Sequence, residues 1–211
     1  MQRKGVFLDR DGVINPYVYN PEFGTVDSPS SPAEFTVGPG VVEAIVEFNR
    51  LGLAVIVVSN QPGIAQGKFT AALLEQVTKK MHLQIEDGGG KIDGVYYCLH
   101  HPEAVVPAYR VNCECRKPQP GMLFAAARDW DISLPDSYMI GDGITDIEAG
   151  AAAGTNNLFI GQSKPYIVDE FDRRGLRPDF IVSALRDAAK VITKLQSDRS
   201  DNSGAGRRER S

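Results

Sequence analysis

Residues 5–12 read GVFLDRDG, a short apolar run that ends in two acidic residues, Asp9 and Asp11, and a glycine, Gly12. The apolar residues predict a buried β-strand, so the carboxylates follow at its carboxyl end. Open α/β sheets bind their ligands beyond the carboxyl ends of their strands. Two carboxylates this close repel each other unless a cation or a proton lies between them, so the pair indicates a Mg²⁺ site of oxygen ligands.

The rest of the chain alternates short apolar runs with helical stretches. We predict strands at 53–58, 94–98, 138–140, 157–160 and 179–182, and helices at 39–51, 70–85, 120–130, 144–153 and 184–195. This alternation is typical of βα units around a parallel sheet. It predicts a doubly wound, Rossmann-like α/β domain over residues 1–196, without a large cap domain. Residues 197–211 are rich in Ser, Asp, Gly and Arg, which predicts a disordered tail.

The charge and hydropathy of the chain exclude several classes of protein. Its 211 residues carry 23 Lys and Arg against 27 Asp and Glu, a net charge of −4 that disfavours a nucleic-acid binder. No run approaches the ~20 apolar residues of a membrane span, and the N-terminal apolar run is too short for a secretory signal. We therefore expect a cytoplasmic monomer with neither nucleic-acid nor membrane partners.

Polar residues with phosphate chemistry follow two other predicted strands. Ser59, Asn60 and Gln61 come after the strand at 53–58, where hydroxyl and backbone N–H groups can receive phosphate oxygens. Asp142 follows the strand at 138–140 and offers another Mg²⁺ ligand, while Asp146 supports its loop. By themselves these segments also fit an ordinary loop and a helix cap.

A pair of cations precedes the predicted helix at 120–130. Lys117 can neutralise a phosphoryl group during transfer, and Arg116 lies beside it. The alternative is a solvated charge pair on a loop.

The three cysteines, Cys98, Cys113 and Cys115, all lie at the ends of one long loop without apolar periodicity. With His100 they complete the four ligands of a tetrahedral Zn²⁺ site, which leaves no open position and so indicates a structural role. His101 competes with His100 as the fourth ligand. The alternative is three unligated thiols and a surface histidine.

The order of these motifs along residues 5–160 resembles the haloacid dehalogenase superfamily of phosphohydrolases. The resemblance implies that Asp9 is the nucleophile and that Asp11 is the general acid and base. It also implies that Mg²⁺ is held by the Asp9 carboxylate, the Asp11 backbone carbonyl and Asp142. Ser59 and Lys117 would stabilise the transferring phosphoryl group.

The Cys-x-His and Cys-x-Cys pairs before Arg116 and Lys117 are similar to those of the heptose bisphosphate phosphatases of this superfamily. That subgroup implies a small phosphorylated sugar as substrate, with removal of the C7 phosphate of D-glycero-D-manno-heptose 1,7-bisphosphate during ADP-heptose synthesis. The resemblance also implies a set of substrate contacts: Arg10, Tyr17, Asn20, Asn60, Gln61 and Arg116.

Two alternatives stay open at this stage. The histidinol-phosphate phosphatases share the four Zn²⁺ ligands, usually with a shorter segment between the pairs. A non-catalytic Zn²⁺-containing binding module is the second, although intact Asp9, Asp11, Lys117 and Asp142 disfavour it. One departure bears on the substrate, because the family often has Lys where this chain has Gly143.

Overall fold

The apolar run at residues 5–8 forms an interior strand of a parallel sheet in the computed structural model, which describes residues 2–20, 24–162 and 164–205. The strands of the chain are β1 (Gly5–Leu8), β2 (Val18–Asn20), β3 (Thr25–Asp27), β4 (Ala54–Asn60), β5 (Gly94–Cys98), β6 (Tyr138–Gly141), β7 (Asn156–Ile160) and β8 (Phe180–Val182). Six of them form one sheet in the order β5-β4-β1-β6-β7-β8, and every neighbouring pair is parallel.

Helices cover both faces of this sheet. They are α1 (Val41–Arg50), α2 (Ala71–Asp87), α3 (Gly121–Trp130), α4 (Ile144–Ala153), α5 (Pro165–Arg173) and α6 (Leu185–Ala205). Successive strand residues point to opposite faces, so Leu8 packs with α1, α2 and α6, whereas Phe7 packs with α3 and α4. The predicted doubly wound α/β architecture is therefore confirmed.

The strand order reverses between β1 and β6. The chain proceeds outward from β1 through β4 to β5 on one side, and from β6 through β7 to β8 on the other. The backbone N–H of Asp9 donates to the Ile140 carbonyl at 3.0 Å, which keeps the ends of β1 and β6 together. Ligands of open α/β sheets bind in the crevice at such a reversal. Asp9 directly follows β1 and Asp142 directly follows β6, so both residues lie at this crevice.

The segment between β1 and α1 carries the two-stranded β2–β3 hairpin. Within the described ranges, no insertion builds a separate helical domain over the sheet, and no helix there is long and apolar enough to cross a bilayer. No sequence pattern predicted this hairpin, because its strands have three residues each and β3 is largely exposed.

Two helices differ from the predictions. α5 was not predicted, because it is short and buries only Phe171. The last helix was expected to end near Leu195 but continues to Ala205, so residues 197–205, predicted as part of a disordered tail, are helical. A helix that is already nucleated extends at little cost, even through polar residues. Residues 206–211 lie outside the described residues, and for them the disordered tail stays a prediction.

Candidate active site

Lys117 is a buried cation between two carboxylates. Its ammonium lies 3.0 Å from Asp9 Oδ1 and 2.5 Å from Asp146 Oδ1, and it donates to the Val58 carbonyl at 2.9 Å. Burial by itself lowers the pKa of Lys117, but the Asp146 and Asp9 carboxylates outweigh burial and raise that pKa. Lys117 therefore keeps its positive charge beside the predicted nucleophile.

Three carboxylates converge at the crevice. Asp9, Asp142 and Asp146 each offer an oxygen, and these oxygens lie within 4.8 Å of one another. Burial raises the pKa of Asp9 to about 6, although Lys117 opposes the shift. Burial, together with the Asp9 and Asp146 charges, raises the pKa of Asp142 to about 7. Crowded, poorly solvated oxygen ligands of this kind suit a hard divalent cation such as Mg²⁺.

Asp146, which was predicted only to support the loop after β6, also belongs to the acidic cluster and pairs with Lys117. Its Oδ2 accepts the Gly143 N–H at 2.9 Å. The position of Asp146 in the first turn of α4 could have indicated this role, because helical side chains point back toward the helix N-terminus.

Gly12 and Tyr17 both contact the acidic cluster through Asp142. Gly12 has φ +83°, and a Cβ on it would lie 2.0 Å from Asp142 Oδ2, so a side chain is excluded there. Burial and a hydrogen bond to the Asp142 carboxylate raise the pKa of Tyr17. Tyr17 as a residue nevertheless stays 45% exposed, which leaves it accessible as a predicted substrate contact.

Arg10, predicted as a substrate contact, is instead completely buried. Its guanidinium donates to both oxygens of Asp11, at 3.0 and 3.1 Å from Nη2, and to Gln61 Oε1 at 3.0 Å. Gln61 is buried as well, and its Nε2 donates to Asp11 Oδ2 at 2.7 Å and to Ser59 Oγ at 3.1 Å. The side chains of Arg10 and Gln61 thus point inward and bind the predicted general acid.

Asn60 uses both ends of its side-chain amide on the backbone of Lys117. Its Oδ1 accepts the Lys117 N–H at 3.0 Å, and its Nδ2 donates to the Lys117 carbonyl at 3.0 Å. Ser59, also buried, hydrogen-bonds the Asp9 carboxylate. The last two residues of β4 therefore position both the buried cation and the predicted nucleophile.

Two predicted substrate contacts remain, Arg116 and Asn20. Arg116 is half-buried, donates to the His100 carbonyl at 3.3 Å and lines a cavity of about 270 Å³ that also borders Lys117. Asn20 ends β2, and its side chain lies outside the described residues.

The long loop after β5 folds its four predicted ligands into one cluster. The Sγ of Cys115 lies 3.1 Å from that of Cys98, 3.2 Å from that of Cys113 and 3.4 Å from His100 Nδ1. Tetrahedral Zn²⁺ with bonds of about 2.3 Å places neighbouring sulfurs roughly 3.8 Å apart, so this donor set fits the ion after a small expansion. His101 Nδ1 instead accepts the Glu103 N–H at 3.1 Å, and His101 is not part of the cluster within the described chain.

The sheet reversal, the acidic cluster and the buried lysine together define the class of protein, a hydrolase of the haloacid dehalogenase type. A sequence model of the family described as HAD-hydrolase-like matches residues 114–188.

Curated relatives narrow the class to one family. The chain is 38% identical over 195 residues to the D-glycero-β-D-manno-heptose-1,7-bisphosphate 7-phosphatase of Escherichia coli O6:H1, covering 90% of this chain and 95% of that protein. It is 39% identical over 200 residues to the enzyme of that name from Vibrio cholerae serotype O1, covering 93% and 100% of the two chains. The chain belongs to this phosphatase family of HAD-like hydrolases.

A solved structure agrees with this assignment. The D,D-heptose 1,7-bisphosphate phosphatase of B. bronchiseptica, complexed with magnesium and phosphate, superposes with a TM-score of 0.74 at 30% identity, covering 91% of this chain and 99% of that one. HAD phosphatases generally use Mg²⁺, and the chain's Cys and His cluster is compatible with zinc.

Proposed function

We propose that this chain hydrolyses the C7 phosphate of D-glycero-D-manno-heptose 1,7-bisphosphate, with Asp9 as nucleophile and Asp11 as general acid and base. The observation that carries the proposal is the position of Asp9 at the sheet reversal, 3.0 Å from the buried Lys117 ammonium and within the acidic cluster. The names of the relatives at 38% and 39% identity support the choice of substrate.

The reaction divides into two displacements at phosphorus. In the first, an Asp9 oxygen bonds to phosphorus, the bond from phosphorus to the sugar oxygen breaks, and the Asp11 proton passes to that oxygen. In the second, a water oxygen attacks the aspartyl phosphate, Asp11 takes a proton from that water, and Asp9 is released together with inorganic phosphate. Lys117, beside Asp9, balances the negative charge of the phosphoryl group, and the Ser59 hydroxyl, also beside Asp9, donates a hydrogen bond to that group.

The proposal includes two metal ions. Asp9, Asp142 and the Asp11 backbone carbonyl would hold Mg²⁺, with Asp146 bordering the site. When bound, this ion would relieve the repulsion between an anionic nucleophile and an anionic phosphate. The four-ligand cluster at Cys98, His100, Cys113 and Cys115 would hold a structural Zn²⁺.

The thiol cluster also bears on location and assembly. Free cysteines that serve as metal ligands persist in a reducing compartment, so we place the enzyme in the cytoplasm. We also propose that the enzyme acts as a monomer, and sedimentation of the active protein tests this.

Phosphate release from both anomers of the heptose bisphosphate and from histidinol phosphate, each with Mg²⁺, tests the substrate. We expect turnover of a heptose bisphosphate; preference for histidinol phosphate would contradict the assignment. Asp9→Asn should show essentially no turnover, and beryllium fluoride should bind at Asp9 in a crystal of the wild-type enzyme. Activity retained by Asp9→Asn would remove the nucleophile.

A further inference from the structure

Both carboxylate oxygens of Asp11 are held by three buried residues, Arg10, Asn15 and Gln61, which we call the Asp11 clamp. Oδ1 accepts from Arg10 Nε at 3.2 Å, Arg10 Nη2 at 3.0 Å and Asn15 Nδ2 at 2.9 Å. Oδ2 accepts from Arg10 Nη2 at 3.1 Å and Gln61 Nε2 at 2.7 Å. Arg10 is 0% exposed, and Asn15 and Gln61 are each 1% exposed.

The clamp joins two segments of the chain. Arg10 and Asn15 belong to the turn after β1, where the Asn15 N–H donates to the Arg10 carbonyl at 3.1 Å. Gln61 follows β4, accepts from Arg10 Nη2 at 3.0 Å and donates its backbone N–H to the Cys98 carbonyl at 2.8 Å. The orientation of Asp11 is therefore determined by the ends of β1, β4 and β5 together.

Burial of a guanidinium is costly, and a buried ion pair is often no more stabilising than apolar packing. The planar fork of Arg, however, restricts the orientation of a carboxylate far more than the single ammonium of Lys does. Arg10 has no exposed surface, and Nε and Nη2 of its guanidinium donate to Asp11 and Gln61. Its contacts therefore point to an effect on Asp11.

We propose that Arg10 is a positioning residue, which orients the Asp11 carboxyl group for both of its proton transfers. This inference rests on the proposed function of Asp11. In the first displacement the proton leaves Asp11 Oδ2 for the sugar oxygen, and in the second a proton returns from water to Oδ2. While Oδ2 carries this proton, Gln61 Nε2 no longer donates to it. Both transfers need the carboxyl group in a defined orientation toward the reacting oxygen, and the donors of the clamp restrict its rotation.

The test compares two leaving groups in the substitution Arg10→Lys, which keeps the charge and loses the fork. A sugar alkoxide needs a proton to depart, whereas p-nitrophenolate departs without one. Release of the leaving group in a single turnover with Mg²⁺ reports only the first displacement. We expect a loss of about 100-fold with heptose 1,7-bisphosphate and a loss at least ~10-fold smaller with p-nitrophenyl phosphate.

Reference variants make the result specific. Asp11→Asn should show the same dependence on the leaving group, and Gln61→Met should show it more weakly without burying an unpaired charge. Tyr97→Phe is the control, because the Tyr97 ring lies 5.7 Å from the Arg10 guanidinium carbon and the change removes only a hydroxyl bonded to Thr78. It should leave both rates unchanged.

Equal losses with both substrates for Arg10→Lys and Gln61→Met would overturn the proposal, because they would show a merely structural effect. A raised KM with unchanged kcat would also overturn it and make Arg10 a binding residue. Failure of the proposed function looks different: the wild-type enzyme would then not hydrolyse the heptose bisphosphate. In that case glycerol phosphate replaces it as the alkyl substrate, and the comparison still tests the clamp.

Discussion

Lys117→Met should destabilise the metal-free protein by about 3–5 kcal/mol near pH 8, the usual cost of removing one partner from a buried ion pair. The structure supports a value of this size. At 3.0 Å and an effective dielectric constant of about 20, the Lys117–Asp9 attraction is worth about 5.5 kcal/mol before desolvation. Asp146, also paired with Lys117, would lose a second attraction, and the Val58 carbonyl would lose its donor.

The destabilisation should depend on pH with a definite sign. Folding raises the pKa of Asp9 to about 6 and that of Asp142 to about 7, from an ordinary value of 3.8. A raised carboxyl pKa favours the folded state at low pH, and this contribution is lost as the pH rises through 6 and 7. At pH 5 both acids bind protons in the folded state, so their repulsion falls and Lys117→Met should cost less.

Urea unfolding at pH 5 and pH 8 in the presence of a chelator measures both effects. Added Mg²⁺ should restore part of the stability at pH 8, because a cation again lies among the carboxylates. Lys68→Met is the matched control, since it removes an exposed lysine paired with Asp27 and should cost less than about 1 kcal/mol. A loss from Lys117→Met that is equally large at both pH values would refute the electrostatic explanation.

Three further substitutions test the surroundings of the site. Gly12→Ala should abolish activity, because its Cβ would lie 2.0 Å from Asp142 Oδ2; wild-type phosphate release would show that the close approach is unimportant. Asn60→Ala should lower kcat by about 10- to 100-fold through displacement of Lys117, with little change in KM, and steady-state kinetics that show only a raised KM would make Asn60 a substrate contact. Cys115→Ser should lower bound zinc from about one equivalent toward zero and lower the melting temperature, whereas unchanged zinc by elemental analysis would place the metal elsewhere.

Local patterns in the sequence were enough to predict the strands of the sheet and the functional residues that follow those strands. The period of apolar residues and the breaks at Gly and Pro locate β1, β4 and β6 to within about two residues. Because the carboxyl ends of parallel strands meet at one edge, residues far apart in the chain were expected together there. Asp9, Lys117 and Asp142 do lie at that edge.

Only the tertiary structure shows which partner is bound by each residue that adjoins a predicted catalytic residue. Arg10 and Asn60 adjoin predicted catalytic residues, yet the first binds Asp11 inside the protein and the second binds the backbone of Lys117. The direction of such a side chain depends on which segment packs against it, and that packing partner lies about 50 residues away in the chain. Local pattern reports which residues are buried or turn-forming, whereas the choice of partner is a long-range contact that exists only after the sheet has assembled.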